Sequence, residues 1–369
     1  MKKRLSKNIE WSILVCTILL IIIGLIALFS ATQNTEYDEF KKQIIWVAIS
    51  IPFIIAFTLI DYETIAKISP VFYVVMIILL VGVLFTEPIN GATSWYSLGF
   101  ASIQPAEFTK IFVIIVLALV MSKMVAKGKK EISRPTRLLI LIAIFTVPVL
   151  LIIKQPDYGT ALAFFVAFIA MLFVAGIDKK YIIAGILIIA ITLPVMYFFV
   201  LPDHAKQRID VFLNQDLDPR GAGYNLTQSK LAIGAGQLFG MGLLRGNQTQ
   251  LGYLSPKTTD FIYSVIGEEM GFLVAAAIIV LYVVLITKAI YVAKTAKDNL
   301  GSYIAIGIAG IFLFHMTENI GMTIGLLPIT GVPLPFVSYG GSSLLCNLIM
   351  IALLLNISGR RQKAIFMEE

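Results

Sequence analysis

Three carboxylates stand at the start of a long apolar segment, in the stretch KTTDFIYSVIGEEMG that covers residues 257–271. The first of them, Asp260, follows a Ser-Pro pair, which is a good start signal for a helix. An acid near a helix N-terminus lies at the positive end of the helix dipole, which favours the carboxylate form that a general base needs. Asp260 is therefore a candidate catalytic base, and the alternative is a helix-end acid without a catalytic role.

Glu268 and Glu269 lie two turns further along the same segment, too far in to cap the helix. An uncompensated pair of carboxylates in hydrocarbon is costly, so either one is protonated or both meet cations or a water-filled cavity. We interpret them first as part of a structural network, and we keep both as candidate cavity-lining residues.

Glu107 and Lys110 are spaced i, i+3 directly after Gln104-Pro105 in another apolar segment. At this spacing the two side chains share one face of a helix and can pair. Ionisable residues inside a membrane segment are functional candidates, because an unpaired charge there costs several kcal/mol. The alternative is a structural ion pair that fixes helix packing.

Five basic residues give one long loop a positive charge. Arginine can grip a phosphate through two hydrogen bonds, so this charge suits a phosphate-bearing ligand. It suits anionic lipid head groups equally well, and charge alone does not separate the two. The five singled out among the basic residues of this loop are Arg208, Arg220, Lys230, Arg245 and Lys257.

Four residues share one face of the apolar segment 302–324, namely His315, Glu318, Asn319 and Met322. A histidine and a glutamate three residues apart could ligate a metal ion, but hydrogen bonding between helices explains the pattern better. We therefore expect these side chains to hold neighbouring elements in place.

Residues 325–343, GLLPITGVPLPFVSYGGSS, combine three prolines and four glycines at membrane depth. Non-helical backbone is tolerated there only where protein or a wet cavity buries it. The segment is therefore predicted to be a broken or re-entrant element that lines a site, with Ser338 and Tyr339 as candidate cavity-lining residues.

The elements that position these residues must be membrane helices. The chain is 58% hydrophobic and only 14% charged, with a mean hydropathy of +0.90, whereas about a quarter of the residues of a soluble domain are charged. Cys16 and Cys346 both lie in apolar runs, which argues against a disulfide framework or a zinc site. The composition predicts an all-α polytopic membrane protein.

Hydropathy predicts about ten transmembrane helices in a single domain that covers residues 1–369. A long loop, 202–260, separates helices 7 and 8 and contains two amphipathic stretches, 205–213 and 223–235. The apolar run after the basic N-terminus is too long for a signal-peptide core, so it is taken as the first helix. The predicted spans are 11–31, 43–60, 70–86, 105–124, 137–153, 159–176, 181–201, 261–291, 302–324 and 339–357.

The charges between these spans predict their orientation. Roughly 19 of the 29 Lys and Arg residues fall on one set of alternating connections and the two ends. By the positive-inside rule this side is cytoplasmic, which places both termini inside and the long loop on the extracellular side.

Five motifs, in this order and spacing, resemble the SEDS family (shape, elongation, division and sporulation) over essentially the whole chain. The last of them looks more like the elongation branch of the family than its division branch. The motifs are NGATSWYSLGFASIQPAEFTK, QPDYGTAL, DPRGAGYNLTQSKLAIGAGQLFGMG, KTTDFIYSVIGEE and GLLPITGVPLPFVSYGGSS.

The resemblance implies a ten-helix peptidoglycan glycosyltransferase at the outer face of the bacterial cytoplasmic membrane. It would polymerise lipid II, the undecaprenyl-diphosphate-linked disaccharide pentapeptide, with inversion at the anomeric carbon, during cell elongation and shape maintenance. The implied partners are a class B penicillin-binding protein, which crosslinks the new strand, and other membrane proteins of the elongation complex. Nucleic acid is not among them.

The family's motifs also imply site residues. The essential acid of the family falls on Asp260, and the Gln-Pro-x-Glu-x-x-Lys motif falls on Glu107 and Lys110. The Gln-Pro-Asp motif falls on Asp157, and the loop arginine falls on Arg208. In the implied mechanism Asp260 is the base, while Lys110 and Arg208 offset the charge of the departing diphosphate.

The sequence departs from the family at four positions, where basic residues or a histidine are common. Roles in gripping phosphate or assisting the base are therefore not carried over to this chain at those positions. The residues present are Thr93, Ser94, Met241 and Thr258.

Cofactor use and the rival functions stay open at this point. Asp157 could hold a divalent cation, Mg²⁺ or Mn²⁺, or a cationic side chain, but the sequence has no repeated carboxylate pair of metal-ligand type. The rivals are a lipid II flippase or transporter, a polymerase of the division branch and a non-catalytic scaffold. Broken helices and intramembrane charge are also typical of transporters.

Overall fold

A computed structural model describes residues 8–87, 93–97, 99, 102–181, 183–185, 187, 194, 196–200, 203–214, 217, 218 and 221–361. Twelve α-helices and a small antiparallel sheet have their bounds within these residues. The helices are α1 Trp11–Ala31, α2 Asp38–Leu59, α3 Tyr62–Val83, α4 Pro105–Val125, α5 Pro135–Lys154, α6 Tyr158–Val174, α7 Asp203–Leu213, α8 Ala222–Ala235, α9 Asn247–Gln250, α10 Ile262–Thr295, α11 Asn299–Thr323 and α12 Gly341–Gly359.

Shorter elements connect the helices. Two 3₁₀ helices cover Gln33–Thr35 and Lys129–Ser133, and a π-helix covers Met196–Val200. The sheet pairs β1, Tyr96–Ser97, with β2, Ser102–Ile103, just before α4.

Eight of the helices, α1 to α5 and α10 to α12, are long and apolar enough to cross a membrane, and α6 is apolar but has 17 residues. These nine helices correspond to nine of the predicted spans, so the membrane-helix architecture is confirmed. The other predicted span, 181–201, lies largely outside the described residues. The two stretches predicted to be amphipathic form the helices α7 and α8, of which α7 is amphipathic and α8 has little difference between its faces.

Burial separates central helices from peripheral ones. The most apolar stretch of α12 is 89% buried inside the protein, against 11% for α2. A helix that is apolar all round belongs in a protein core or faces lipid. Since α4, α11 and α12 are the three most buried of the membrane-length helices and contain Glu107, Lys110, His315, Glu318, Asn319, Asn347 and Asn356 as buried polar side chains, they form the centre that positions the polar residues.

The two ends of the described chain lie together at one end of the bundle. The side-chain amide of Asn8 donates to the main-chain carbonyl of Arg361 at 3.3 Å. Glu10 holds Lys288 at 2.9 Å and the guanidinium of Arg361 at 3.4 Å. The N- and C-terminal parts of the chain therefore share one side of the helix bundle.

Helix α10 is broken at Gly271, which has φ 78° and ψ 179°. The break frees the N–H groups that follow it, and the long loop bonds to them. Phe272 donates to the carbonyl of Gln237 at 2.8 Å, and Leu273 donates to that of Leu238 at 3.2 Å. A kink in a membrane helix is tolerated when its freed backbone groups find such partners.

The loop also donates to the carbonyls on the other side of the break. The N–H groups of Met241 and Gly242 bond to the main-chain oxygens of Glu268 and Glu269 at 2.9 and 3.0 Å. The loop segment 237–242 is thus joined to α10 by backbone hydrogen bonds on both sides of Gly271.

The carboxylates of Glu268 and Glu269 hold the next part of the loop. Glu268 accepts the N–H groups of Gln248 and Thr249 at 2.7 and 3.0 Å, and the Thr249 hydroxyl at 2.6 Å. Glu269 accepts the side-chain amide of Gln250 at 2.8 Å. Both acids are buried beneath the loop. A structural network describes these bonds, and a cavity-lining role for the two acids stays a prediction.

The segment between α11 and α12 is non-helical, as its prolines and glycines predicted. Ser338 is buried, donates to the carbonyl of Thr259 at 2.7 Å and accepts the N–H of Leu334 at 2.8 Å. Its hydroxyl thus bonds two backbone groups inside the protein, and its cavity-lining role stays a prediction. Tyr339 donates its N–H to Thr258 at 2.9 Å, and its side chain is half-buried.

The contact between the loop and α10 leads to a prediction at Gly240. Its φ is +83°, and a Cβ there would lie 2.2 Å from the carbonyl oxygen of Glu269. Gly240→Ala should therefore destabilise the protein by about 2 kcal/mol or more, through strain and overlap. Thermal unfolding in detergent measures the effect.

Gly234→Ala is the matched control, since it lies in α8 with open space around the added methyl group. Alanine is the better helix former, so this variant should unfold at the same or a higher temperature. Equal unfolding temperatures for the two variants would contradict the close contact at Gly240.

Candidate functional site

Asp260 lies immediately before α10 and is half-buried. Its main-chain carbonyl accepts the side-chain amide of Asn319 at 3.0 Å, which ties it to α11. A Cβ on Gly331 would lie 3.4 Å from Oδ2 of Asp260. The segment between α11 and α12 therefore runs alongside the carboxylate.

Burial is the largest influence on this carboxyl group. It raises the pKa of Asp260 above the ordinary aspartate value of 3.8, while a hydrogen bond with the Thr259 side chain and the charge of Arg208 lower it. The group is consequently a stronger base than an exposed aspartate and is held next to a cation. These are properties that general-base chemistry requires.

Arg208 reaches this place from α7, whose amphipathic pattern was visible in the sequence. Its guanidinium is exposed and makes long contacts of 3.5 and 3.4 Å to the carbonyls of Ile329 and Thr330. The same segment passes Asp260 at Gly331. Two of the residues singled out in the sequence, Asp260 and Arg208, are thus brought together.

Glu107 and Lys110 form an ion pair inside α4, as their spacing predicted. The ammonium lies 2.8 Å from Oε2 of Glu107, although the two groups are not aligned as a hydrogen bond. Lys110 is fully buried and its Nζ lies 3.3 Å from Nε2 of His315. In this arrangement Lys110 faces the helix core.

Asp157 caps the N-terminus of α6. Its carboxylate accepts the N–H of Thr160 at 3.1 Å and the side-chain amide of Gln104 at 2.8 Å. Burial raises the pKa of Asp157, the bonds from Thr160 lower it, and the charges of Glu107 and Lys110 act on it in opposite directions. Asp157 is therefore near the buried ion pair, and its described bonds go to neutral donors.

Metal ligation is the part of the site that the described residues support least. Among them, no three His, Cys, Asp or Glu side chains come together in a group that could hold a metal ion. Asp157 contributes one carboxylate with two hydrogen bonds already made. A divalent cation such as Mg²⁺ or Mn²⁺ stays a prediction from the sequence.

The polar face of α11 holds the segment that passes Asp260. Its residues His315, Glu318 and Asn319 are all buried, and each of them bonds to that segment. Hydrogen bonding, and not metal ligation, thus describes this face. The bonds are His315 Nδ1 to the Pro333 carbonyl at 3.1 Å, the Asn319 amide to the Val332 carbonyl at 2.8 Å, and the Thr330 hydroxyl to Glu318 at 2.8 Å.

The other basic residues of the long loop are spread out. Lys257 donates to the carbonyl of Thr249 at 2.9 Å, and burial lowers its pKa. Lys230 packs against Gly325, where a Cβ would lie 2.4 Å from its Cε. Arg220 lies outside the described residues. Arg208 is the described basic residue of the loop whose contacts with the segment 329–331 place it near Asp260.

Two contributors to the site were missed in the sequence. Thr330 binds both Glu318 and, through its carbonyl, Arg208, and Gln104 binds Asp157. Gln104 belongs to the Gln-Pro pair that precedes α4, so its place in that motif was a signal. Nothing in the local sequence distinguishes Thr330, because its contacts come from residues remote in the chain.

Comparisons with known proteins agree with this architecture. "Peptidoglycan glycosyltransferase MrdB" of Escherichia coli is 32% identical over 356 residues, covering 96% of this chain and 95% of that protein. "Probable peptidoglycan glycosyltransferase FtsW" of Trichlorobacter lovleyi is 36% identical, covering 91% and 89%. A chain from a structure on the coordination of polymerization and crosslinking by a peptidoglycan synthase complex has a TM-score of 0.82 at 24% identity, covering 95% and 97%.

The family model for FtsW, RodA and SpoVE, described as "Cell cycle protein", matches residues 10–363. This match spans nearly the whole chain and confirms the resemblance that the five sequence motifs indicated. The chain belongs to the FtsW/RodA/SpoVE family of cell cycle proteins.

Proposed function

We propose that this chain is a peptidoglycan glycosyltransferase that polymerises lipid II during cell elongation. The names of its relatives and its membership of the family support the reaction class. The single observation that carries it is the half-buried carboxylate of Asp260 with Arg208 beside it, on a scaffold of membrane helices. The motif at 325–343 supports the elongation branch.

The reaction forms one bond and breaks another at the same carbon. The C4 hydroxyl of the acceptor sugar attacks the anomeric carbon of the donor muramyl unit, and the bond from that carbon to the diphosphate oxygen breaks. Undecaprenyl diphosphate leaves with the electron pair, and the α linkage inverts to β. Asp260 takes the hydroxyl proton, a role typically worth about 10² to 10⁴ in rate.

Arg208 is proposed to stabilise the departing diphosphate. Its exposed guanidinium can exchange two long contacts with carbonyls for charge-assisted bonds to phosphate oxygens. A diphosphate leaves as a stable anion and needs no proton, so the second carboxylic acid of glycoside hydrolases is not required. The site therefore needs one base and one cation next to it.

Lys110 is proposed to act by position and charge rather than by touching the substrate. It is fully buried, and its ammonium lies between Glu107 and His315. Glu107 orients this ammonium, and Asp157 lies within its field. The sequence-based expectation that Lys110 offsets the charge of the departing diphosphate is thereby kept as an action at a distance.

The proposed location is the outer face of the cytoplasmic membrane, with both termini inside. The positive-inside pattern supports this orientation, and the two ends of the described chain lie together. A class B penicillin-binding protein, which crosslinks the product, is the proposed partner, together with other membrane proteins of the elongation complex. A chain with the same fold, from a structure on a peptidoglycan synthase complex, supports this assignment.

The central experiment compares the native chain with Asp260→Asn, using purified protein and labelled lipid II, with and without a penicillin-binding partner. Loss of the base should lower the rate of glycan formation by about 100-fold to 10,000-fold. Asp38→Asn is the control, because Asp38 makes an exposed ion pair with Lys42 and should leave the rate unchanged.

Three outcomes would count against the proposal. Glycan products formed at a near-native rate by Asp260→Asn would contradict the assignment of Asp260 as the base. Transfer of lipid II across liposome membranes, with no glycan products, would favour a flippase function. Rescue of a division mutant, with no rescue of an elongation mutant, would place the chain in the division branch.

Arg208 gives a prediction on pH dependence. The active form of Asp260 is the carboxylate, so activity falls as the pH drops through its pKa. Because the charge of Arg208 lowers this pKa, Arg208→Gln should raise it and move the acid limb of the rate profile to higher pH. Lys206→Gln, on the same helix, should leave the acid limb of the rate profile at the same pH as in the native chain. An unmoved limb in Arg208→Gln would contradict the coupling.

The buried ion pair gives a prediction on stability. Lys110→Met leaves the Glu107 carboxylate buried without its partner, which typically destabilises by about 3–5 kcal/mol. Replacing both residues, as in Lys110→Met with Glu107→Gln, removes the uncompensated charge and should recover much of the loss. Thermal unfolding of the single and double variants in detergent measures this, and equal losses would show that the two charges are not coupled.

A further inference from the structure

His315 makes two polar contacts inside the helix core. Its Nε2 lies 3.3 Å from the Lys110 ammonium, and its Nδ1 lies 3.1 Å from the main-chain oxygen of Pro333. An ammonium only donates and a carbonyl only accepts, so Nε2 must accept and Nδ1 must donate. The neutral imidazole with its proton on Nδ1 satisfies both contacts at once.

These contacts connect two parts of the site that are remote in the chain. Lys110 belongs to α4 and is paired with Glu107. Pro333 belongs to the segment between α11 and α12, which receives Arg208 at Thr330. His315 therefore links the buried ion pair to the segment that carries the Arg208 contacts and passes Asp260.

Asn319, one turn further along α11, holds the same segment nearer the carboxylate. Its side-chain amide donates to the carbonyl of Val332 at 2.8 Å and to that of Asp260 at 3.0 Å. With Asn319 at Val332 and His315 at Pro333, two neighbouring carbonyls of the segment are fixed from one helix face. The segment's path past Asp260 then depends on both side chains.

We propose that His315 is a positioning residue for the glycosyl transfer, acting in its Nδ1–H form to join Lys110 to the segment 329–333. The proposal rests on the proposed function. His315 is fully buried, so it acts on the reaction through the positions of Asp260 and Arg208 and not by touching the substrate. It also explains how a buried Lys110 can matter for a reaction that it does not contact.

Two substitutions separate positioning from packing. Glutamine carries one acceptor and one donor group, so His315→Gln can keep both contacts, whereas His315→Leu keeps neither. Displacement of a site by about 1 Å can cost about 100-fold in rate, so we expect a loss of that order for His315→Leu and native-like turnover for His315→Gln. Thr323→Val is the control, because its buried hydroxyl on α11 bonds only to Ile320 of its own helix.

A double-variant comparison tests whether Lys110 acts through His315. If it does, His315→Leu combined with Lys110→Met should lose no more activity than His315→Leu alone, because groups that act as a unit are not additive. Losses that multiply would overturn the link, as would a His315→Gln variant as inactive as His315→Leu.

Hydrogen exchange gives a readout that does not depend on catalysis. In the protein reconstituted in nanodiscs, amides of residues 329–334 should exchange faster in His315→Leu than in the native chain, and at the native rate in His315→Gln and Thr323→Val. Unchanged exchange in His315→Leu would overturn the inference. If the native chain makes no glycan, the proposed function fails, and exchange still decides whether His315 holds this segment.

Discussion

Irregular backbone beside membrane helices must find hydrogen-bond partners within the protein, and the rest of this structure depends on that requirement. In hydrocarbon each unsatisfied backbone group costs several kcal/mol, so the segment between α11 and α12 is possible only because side chains bond to its carbonyls. His315 and Asn319 provide these bonds from α11. The polar face of a central helix is thus what permits an extended segment next to Asp260.

The same requirement explains the arrangement of the long loop. The break at Gly271 leaves carbonyl groups before it and N–H groups after it without partners in the helix. The loop segment 237–242 bonds to both kinds of group. The carboxylates of Glu268 and Glu269 then fasten the next loop segment through its N–H groups and side chains. Charged residues in an apolar region serve here as anchors for main chain, and this keeps a long connection in a fixed place before it reaches Asp260.

Much of the fold followed from the sequence, and the part that did not has a physical reason. Hydropathy placed nine spans, with ends up to eight residues away from those of the helices, because a membrane-crossing helix needs a minimum apolar length. The break at Gly271 was invisible, since a single glycine in an apolar run fits a continuous helix and only the approaching loop shows otherwise. The i, i+3 spacing predicted the pairing of Glu107 with Lys110, but their burial against His315 depends on packing between helices that no local pattern records.

The break in α10 also sets how far Asp260 lies from the membrane-length part of this helix. A straight helix of 34 residues would be about 51 Å long, well beyond the hydrocarbon thickness of about 30 Å. The part after Gly271 is about 36 Å long, which matches a bilayer with modest tilt. The part before it begins next to Asp260 and is about 15 Å long. In the proposed function, a substrate anchored by its lipid tail would meet Asp260 at a distance from the bilayer that the length of this helix part sets.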